Sequence, residues 1–419
     1  MKSSRWMAFL FGLMAVIPAQ AADWTLHRFE GREYISLDNI ATFYGLPTPP
    51  RVEVLPPAGQ TPAVPVSAPA TPSTPSPAPV VAAATTVPAV AVGPITAATA
   101  LAAATADAPG PISTREPPPA IPASKTVSLD SGKAQLEVTV GLREMQINGV
   151  KHWLAFPALL HEGQVFISRL DLSKIIEPRM RPELIPGLQS FTTVVLDPGH
   201  GGHDRGAISK FGYEKDFALD VALRVRPLLE KQGYKVVLTR STDIFIPLDK
   251  RPAVANNIAG SIFVSIHFNS STSNADARGF EIFSMAPRGA PATNDSRPSE
   301  RDLRAEAGNA HDLPSGALAG SVYHALLGHV PMVDRGIKHA RFAVLRHSTV
   351  PAILVECGFV SNKAESTLIS SSAWRSSVAE AIVDGVENYK MLAEKKSRPK
   401  VIADYRRAAA GFGNSPTAP

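Results

Sequence analysis

Apolar residues in the second half of the chain follow two alternating spacings. Short apolar runs occur at VVLDPG, YKVVLTR, SIFVSIHFN, ARGFEIFSM, near FAVLRHS and at PAILVECGFVSN, and each predicts a buried strand. Between them, apolar residues recur at helical spacing from about Lys215 to Gln232, Leu248 to Ala259, Gly316 to Leu327 and Ala373 to Tyr389. This alternation predicts an α/β domain over residues 192–391, with a twisted, mostly parallel sheet flanked by helices.

The first half of the chain predicts a smaller α+β domain in two pieces. Residues 23–47 have the pattern of a short hairpin followed by a helix. Residues 125–184 contain Asn148-Gly149, a hairpin signal between two apolar runs. The phrases YISLDNI and FISRLDL, one in each piece, look like two copies of one strand-then-helix unit. We therefore expect one small N-terminal domain that is split by the intervening segment.

That segment, residues 48–124, has the composition of a linker. More than half of the chain's 38 prolines lie between Pro47 and Pro122, with alanine, threonine, serine and valine between them. Prolines at this density remove backbone donors and oppose both helix and sheet. We expect a disordered, extended tract. A tether across a cell wall and a tolerated low-complexity insertion explain it equally well.

The chain begins with the pattern of a signal peptide over residues 1–21. Lys2 and Arg5 precede an apolar stretch from Met7 to Ile17, and Ala19-Gln20-Ala21 fits a cleavage site. This pattern predicts export to the periplasm or outside the cell, with no stable membrane span after cleavage; an uncleaved anchor is the alternative. At the other end, residues 392–419 predict a disordered basic tail.

The charge distribution does not favour a nucleic-acid-binding protein, and the cysteine content excludes a protein with intrachain disulfides. The net charge of +5 comes from scattered basic residues, so no nucleic-acid surface is expected. The single cysteine, Cys357, excludes an intrachain disulfide and is interpreted as a small buried side chain.

Three residues at element boundaries are candidate metal ligands. His200 follows the strand VVLDPG, Glu214 begins the next helix, and His267 lies near the end of SIFVSIHFN. Hydrolytic zinc sites take three nitrogen or oxygen ligands and leave one position for water. The spacing alone allows each residue to be structural, but together they predict a site for one zinc ion.

Glu356 is the candidate general base. It lies in PAILVECGFVSN at the end of an apolar strand, where a carboxylate is costly unless it is paired or near a metal. It could take a proton from the attacking water and pass it to a leaving nitrogen. An ion pair with Arg341 or Lys338 is the structural alternative.

The segments LDPGHGGHDRGA, YEKD, VSIHFN and DRGIKHARFAVLRHSTVPAILVECGFVSN, with the closing helix, resemble the zinc-dependent N-acetylmuramoyl-L-alanine amidases of type 3. The resemblance covers residues 192–391. It implies cleavage of the amide between N-acetylmuramic acid and L-alanine in peptidoglycan, and a mixed sheet flanked by helices. By motif position it implies zinc ligands at His200, Glu214 and His267, and the catalytic glutamate at Glu356.

Further residues near these motifs are weaker candidates for supporting roles. Asp197 and Asp204 could support the ligands or cap turns, and Ser265, Asn269, His203, His339 and His347 could orient ligands or substrate or be structural. The segment between Met285 and Leu318, which includes the insertion 287–311, departs from the family pattern, because it is polar, contains proline and has no clear periodicity. Some relatives carry at this place a regulatory helix that blocks the zinc site. A gating lid and an inert surface excursion are both open.

Two rival functions and the role of the N-terminal domain also stay open. The rivals are a wall-binding protein without activity and a zinc carboxypeptidase acting on wall peptides. Residues 142–180 resemble a copper amine oxidase N-terminal-like domain, which implies no copper here, because His152 and His161 lack further ligands. This domain is interpreted as a wall anchor or a site for an activator protein.

Overall fold

The computed structural model describes residues 24–52, 125–295, 297–397 and 399–411. The predicted signal peptide and nearly all of the predicted linker lie outside the described residues. Residues 25–52 belong to the same compact unit as the residues from 125 onward. Within the described residues, no helix combines the length and apolar character needed to cross a membrane.

The described chain begins with a hairpin and a helix, as predicted. Strand β1 (Leu26–Phe29) pairs antiparallel with β2 (Arg32–Ser36), and helix α1 (Leu37–Tyr44) follows at once. The Ser36 side chain accepts a hydrogen bond from the backbone N–H of Asn39, which satisfies a donor of the first helical turn. Gly45 ends the helix in the left-handed conformation.

A four-stranded antiparallel meander follows. It consists of β3 (Thr126–Asp130), β4 (Gln135–Thr139), β5 (Glu144–Ile147) and β6 (Val150–Trp153). Alternate residues of these strands are buried, as a half-buried sheet requires. Asn148 and Gly149 both have positive φ, 51° and 78°, and join β5 to β6. This is the hairpin that the Asn-Gly pair predicts.

The second copy of the strand-then-helix phrase lies against the first. Strand β7 (Leu159–His161) pairs with β8 (Gln164–Ser168), and β8 pairs antiparallel with β2. Ser168 caps the following helix as Ser36 caps α1, accepting from the backbone N–H of Asp171. That helix, α2, consists of the consecutive pieces Arg169–Asp171, Leu172–Ile176 and Glu177–Met180.

The remaining elements alternate between strand and helix. In chain order they are β9 (Thr193–Pro198), β10 (Ile208–Ser209), β11 (Gly212–Tyr213), α3 (Glu214–Lys231), β12 (Lys235–Leu238), α4 (Lys250–Asn256), β13 (Ser261–Asn269), β14 (Phe280–Met285), α5 (Asp312–His329), β15 (Asp334–Ala340), α6 (Ala343–Arg346), β16 (Ala352–Phe359), α7 (Lys363–Ser370), α8 (Ser372–Ala393) and α9 (Ile402–Gly411).

The central sheet is mixed and mostly parallel, as predicted. In the described residues its order is β12-β9-β13-β16-β14-β15-β6-β5-β4-β3. From β12 to β16 all neighbours are parallel, β14 is antiparallel to β16, and β15 is parallel to β14. Ile337 of β15 then pairs with His152 of β6. The meander therefore continues the same sheet.

Helices cover both faces of the parallel part of the sheet. On one face, Ala255 of α4 and Val344 of α6 share a buried cluster with Phe263 of β13. On the other face, the ring of Phe217 on α3 contacts that of Phe268, with centroids 5.9 Å apart. Phe263 and Phe268 differ by an odd number of positions, so they point to opposite faces of the strand.

Two sequence predictions are wrong in the described residues. The segment near FAVLRHS is not a strand: β15 ends at Ala340, and α6 forms instead. Adjacent Val344 and Leu345 both enter one core cluster, which a helical turn permits and a strand does not.

The tail predicted to be disordered contains α9, where Tyr405 is only 4% exposed. Residues 412–419 lie outside the described residues.

Candidate active site

A glycine-rich loop presents His200 after β9. His200 itself has a positive φ of 60°. A Cβ at Gly199 would lie 2.3 Å from Cε1 of His267, and a Cβ at Gly206 would lie 2.6 Å from Oε2 of Glu214. Since real Cβ atoms do not approach other atoms so closely, the loop can lie against the two other predicted ligands only with glycine at these positions.

The structure brings the three predicted metal ligands together. His200, Glu214 and His267 each offer a ligand atom, and these atoms all lie within 4.8 Å of one another. Oε1 of Glu214 lies 3.1 Å from Nε2 of His200 and 2.9 Å from Nδ1 of His267. Two imidazole nitrogens and one carboxylate oxygen form a donor set that suits a hydrolytic zinc site. The residues present therefore fit a zinc ion.

Neighbouring groups hold these side chains in place. Oδ2 of Asp204 lies 2.9 Å from Nδ1 of His200, a contact that fixes the ring and leaves Nε2 for a ligand. Glu214 accepts hydrogen bonds from the backbone N–H groups of Ala207 and Phe268, at 2.8 and 3.1 Å. Burial favours the neutral Glu214 carboxyl, but hydrogen bonds with the two histidines outweigh it and lower its pKa well below the usual range.

Glu356 lies beside His267 on the adjacent strand. The two residues are register partners of β13 and β16, and Glu281 of β14 is the partner on the other side of Glu356. Oε2 of Glu356 is buried and has no hydrogen-bond partner among the described residues. Burial, followed by the charges of Glu214 and Glu281, raises the pKa of Glu356 well above its ordinary value.

The alternative ion pairs for Glu356 do not form in the described structure. Nζ of Lys338 contacts Oε2 of Glu281, and Nη1 of Arg341 lies 2.8 Å from Oδ1 of Asp302. Both candidate cations therefore have other partners. An unpartnered carboxyl oxygen beside three ligand groups is what a proton acceptor for an attacking water requires.

These groups face one open cavity of about 320 Å³. His200, Glu214, His267 and Glu356 all line it. Leu248, Arg251 and the segment from Phe342 to Val344 also line it. Phe342 to Val344 belong to the segment that the sequence wrongly predicts as a strand.

Arg251 is a structural residue of the site that the sequence reasoning missed. It is 2% exposed. Its Nη1 lies 3.0 Å from Oδ1 of Asp197, and its Nη2 donates to the carbonyl of His200 at 2.7 Å. Asp197 also accepts from Thr239 and Ser265, so it anchors the loop rather than contacting a ligand side chain. Arg251 lies 51 positions after His200, with no local motif to link them.

The other supporting candidates lie near the cavity or away from it. Asn269 lines the cavity and donates to Glu281. His203 is exposed, with its ring centroid 4.3 Å from that of Phe245. His339 is buried beside Ser284, and Arg346 Nε donates to His347. Among the described residues, neither His339 nor His347 lines the cavity.

Residues 287–311 contact the meander and α2 side of the domain instead of the cavity. Arg143 donates to the carbonyls of Ala292 and Asp295, at 3.3 and 2.9 Å, and Arg341 donates to that of Ala290 at 2.8 Å. None of the described residues of 287–311 lines the cavity. In this structure the segment does not cover the candidate ligands.

One cavity beside the α/β sheet brings together two imidazoles, a carboxylate and an unpartnered glutamate. These are the parts of a hydrolytic centre. A family model of N-acetylmuramoyl-L-alanine amidase matches residues 194–388. AmiA of Escherichia coli K12 is 36% identical over 220 residues, which cover 47% of this chain and 75% of that protein. The chain belongs to the N-acetylmuramoyl-L-alanine amidase family.

Other relatives match a similar share of the chain. AmiC of Escherichia coli O6:H1 is 35% identical over 224 residues, which cover 47% of this chain and 52% of AmiC. The chain thus spans about half the length of AmiC. A solved amidase from Clostridium difficile 630 is 34% identical, covers 48% of this chain and 97% of its own, and superposes with a TM-score of 0.40.

Proposed function

We propose that this protein is an exported peptidoglycan hydrolase that cleaves the amide between N-acetylmuramic acid and L-alanine. The observation that carries the proposal is the unpartnered Oε2 of Glu356 in the same cavity as His200, Glu214 and His267. Membership of the amidase family supports the choice of bond, and the relatives AmiA and AmiC are amidases by name.

His200, Glu214 and His267 would hold one zinc ion. When bound, zinc lowers the pKa of a coordinated water and polarises a carbonyl oxygen. Asp204 holds the His200 ring through Nδ1, at 2.9 Å. Arg251 holds the backbone of the same histidine through its carbonyl oxygen.

Glu356 acts as general base and then as general acid. Its Oε2 has no competing partner, so it is free to accept a proton from the attacking water. The raised pKa of Glu356 means that the protonated form is stable enough to hold that proton. The proton then passes to the departing alanine nitrogen, which leaves as an amine.

The remaining parts of the chain bring this centre to its substrate. We propose that residues 1–21 direct export, that residues 48–124 serve as a tether, and that residues 23–47 with 125–184 form a wall anchor or a site for an activator protein. A reason to assign them a binding role is that no cluster of metal ligands occurs outside the candidate site among the described residues.

Digestion of purified peptidoglycan tests the proposal. Zinc-loaded full-length protein should release stem peptides with a free L-alanine amine and leave glycan strands without peptides, as identified by mass spectrometry. Peptides shortened only at their carboxyl ends would replace the amidase proposal with a carboxypeptidase. Binding to peptidoglycan without any new terminus would identify a wall-binding protein instead.

A further inference from the structure

A second cavity lies apart from the candidate active site. It is formed by the β5–β6 hairpin, α2, residues Gly316 to His324 of α5, the end of α8 and the segment that precedes α9, and has a volume of about 70 Å³. Its lining residues that carry ionisable groups are all basic: His152, Arg179, His324 and Lys400. The described lining residues include no aspartate or glutamate.

Arg179 has no counterion among the described residues, and two of its guanidinium nitrogens are buried. Its Nη2 donates to the carbonyl of Gly316 at 3.1 Å, while its Nε and Nη1 are buried and have no partner in the described chain. None of the ion pairs of the described residues includes Arg179. Burial lowers the pKa of Arg179 to about 10, so the guanidinium is still charged at neutral pH. An isolated buried charge is costly unless another group compensates it.

Two neutral histidines stand beside this cation. Nδ1 of His324 is also buried and unpartnered. Burial, with the nearby charge of Arg179, lowers the pKa of His324 to about 4 and that of His152 well below its ordinary value. At neutral pH each ring therefore has one N–H donor and adds no charge. Gly316 has no side chain, so the space beside Arg179 stays open. A Cβ at this position would fill it, because it would lie 3.1 Å from Nη1 of Arg179.

We propose that this cavity binds a small oxyanion, of the tetrahedral sulfate or phosphate type or a carboxylate group. The anion accepts hydrogen bonds from Arg179 and His324 and neutralises the buried charge, with Lys400 at the exposed side of the cavity. Roughly 10–15 Å³ of cavity holds one water molecule, so about 70 Å³ admits a group of a few heavy atoms and excludes a sugar.

The bound anion would join parts of the chain that are distant in sequence. Arg179 belongs to α2, His324 to α5, and Lys400 to the segment before α9. One ligand that contacts all three ties the N-terminal elements to the catalytic domain. Binding should therefore raise the unfolding temperature of the whole chain.

Calorimetric titration of sodium sulfate into the zinc-loaded full-length protein tests the proposal, with chloride holding the ionic strength constant. We expect saturable binding of sulfate and a loss of affinity of about tenfold or more in Arg179→Gln, since hydrogen bonds to charged groups are among the strong ones. Acetate in place of sulfate distinguishes a carboxylate ligand from a tetrahedral oxyanion, and binding of either supports the site.

Three variants locate the binding. Arg226→Gln removes an exposed arginine paired with Glu230 and should leave the affinity unchanged. His267→Ala alters the candidate zinc site and should also leave the affinity for sulfate unchanged. That result would exclude binding of the anion at the zinc site. His324→Gln should weaken binding if Arg179→Gln does not fold. No saturable binding to the wild type, or an affinity equal to that of the wild type in both Arg179→Gln and His324→Gln, would overturn the proposal.

Discussion

The fit between Gly199 and the ring of His267 gives a sharp test of the site. In Gly199→Ala the new Cβ would lie 2.3, 2.5 and 2.7 Å from Cε1, Nε2 and Nδ1 of the ring. Ordinary contacts begin near 3.4 Å, so the ring must retreat by about 1 Å. Gly199 does not have the positive φ that would strain alanine. The perturbation is therefore steric and directed at one candidate ligand.

The expected result is a loss of zinc affinity together with a moderate loss of stability. Metal–ligand distances vary by only about 0.2 Å. Even the loss of a residue that hydrogen-bonds to a metal ligand lowers the metal affinity roughly 10–100-fold. Competition with a chromogenic chelator should show at least that loss. Overpacking should lower the free energy of unfolding by only about 1–3 kcal/mol, as measured in urea.

Gly320→Ala is the matched control for this substitution. A Cβ at Gly320 meets no atom within 4 Å, and alanine in a helix lowers the entropy of the unfolded chain. Zinc affinity should equal that of the wild type, with stability equal or slightly higher. If Gly199→Ala instead bound zinc as tightly as Gly320→Ala, His267 would not be a ligand in the position seen here.

Three further substitutions separate the roles of the surrounding residues. Glu356→Gln should keep zinc and lose about 10²–10⁴-fold in turnover, because an amide cannot accept the proton. Asp204→Asn should weaken zinc binding by roughly 10–100-fold, measured by chelator competition, because it loosens the His200 ring. Arg251→Met should lower the free energy of unfolding by about 3–5 kcal/mol in urea, because it leaves the Asp197 carboxylate buried and unpaired.

Each of these outcomes can contradict the account. Wild-type turnover by Glu356→Gln would show that Glu356 is not the general base, and unchanged zinc affinity in Asp204→Asn would make that contact incidental. Arg226→Met is the control for Arg251→Met, because it breaks an exposed pair worth only about 0–1 kcal/mol. Equal stability losses in the two arginine variants would contradict the anchoring role of Arg251.

The sequence predicts the candidate ligands because they lie at element boundaries. Once β13 and β16 are neighbours, the alternation of side chains puts His267 and Glu356 on one face, side by side. The glycines of the loop after β9 indicate from the sequence alone that this loop packs closely against another segment, although they do not identify that segment. These features depend on local pattern, which is why the mixed, mostly parallel sheet and the grouping of four residues could be predicted.

Other features depend on contacts between distant segments. Arg251 joins the end of β9 to the His200 loop, and its isolated position in sequence gives no signal for this. The short apolar run after Arg341 fits a strand or a helix equally well, and only its packing against the sheet decides between them. Likewise, nothing in β6 alone indicates that it pairs with β15 and extends the catalytic sheet.

Digestion of peptidoglycan in water enriched in oxygen-18 tests the central claim most directly. Zinc-loaded wild-type protein should place the label in the lactyl carboxylate of the muramic acid and leave an unlabelled peptide with a free L-alanine amine. Glu356→Gln, with zinc bound, should incorporate this label about 10²–10⁴-fold more slowly. Label in the carboxyl terminus of the peptide, or in neither product, would contradict the account.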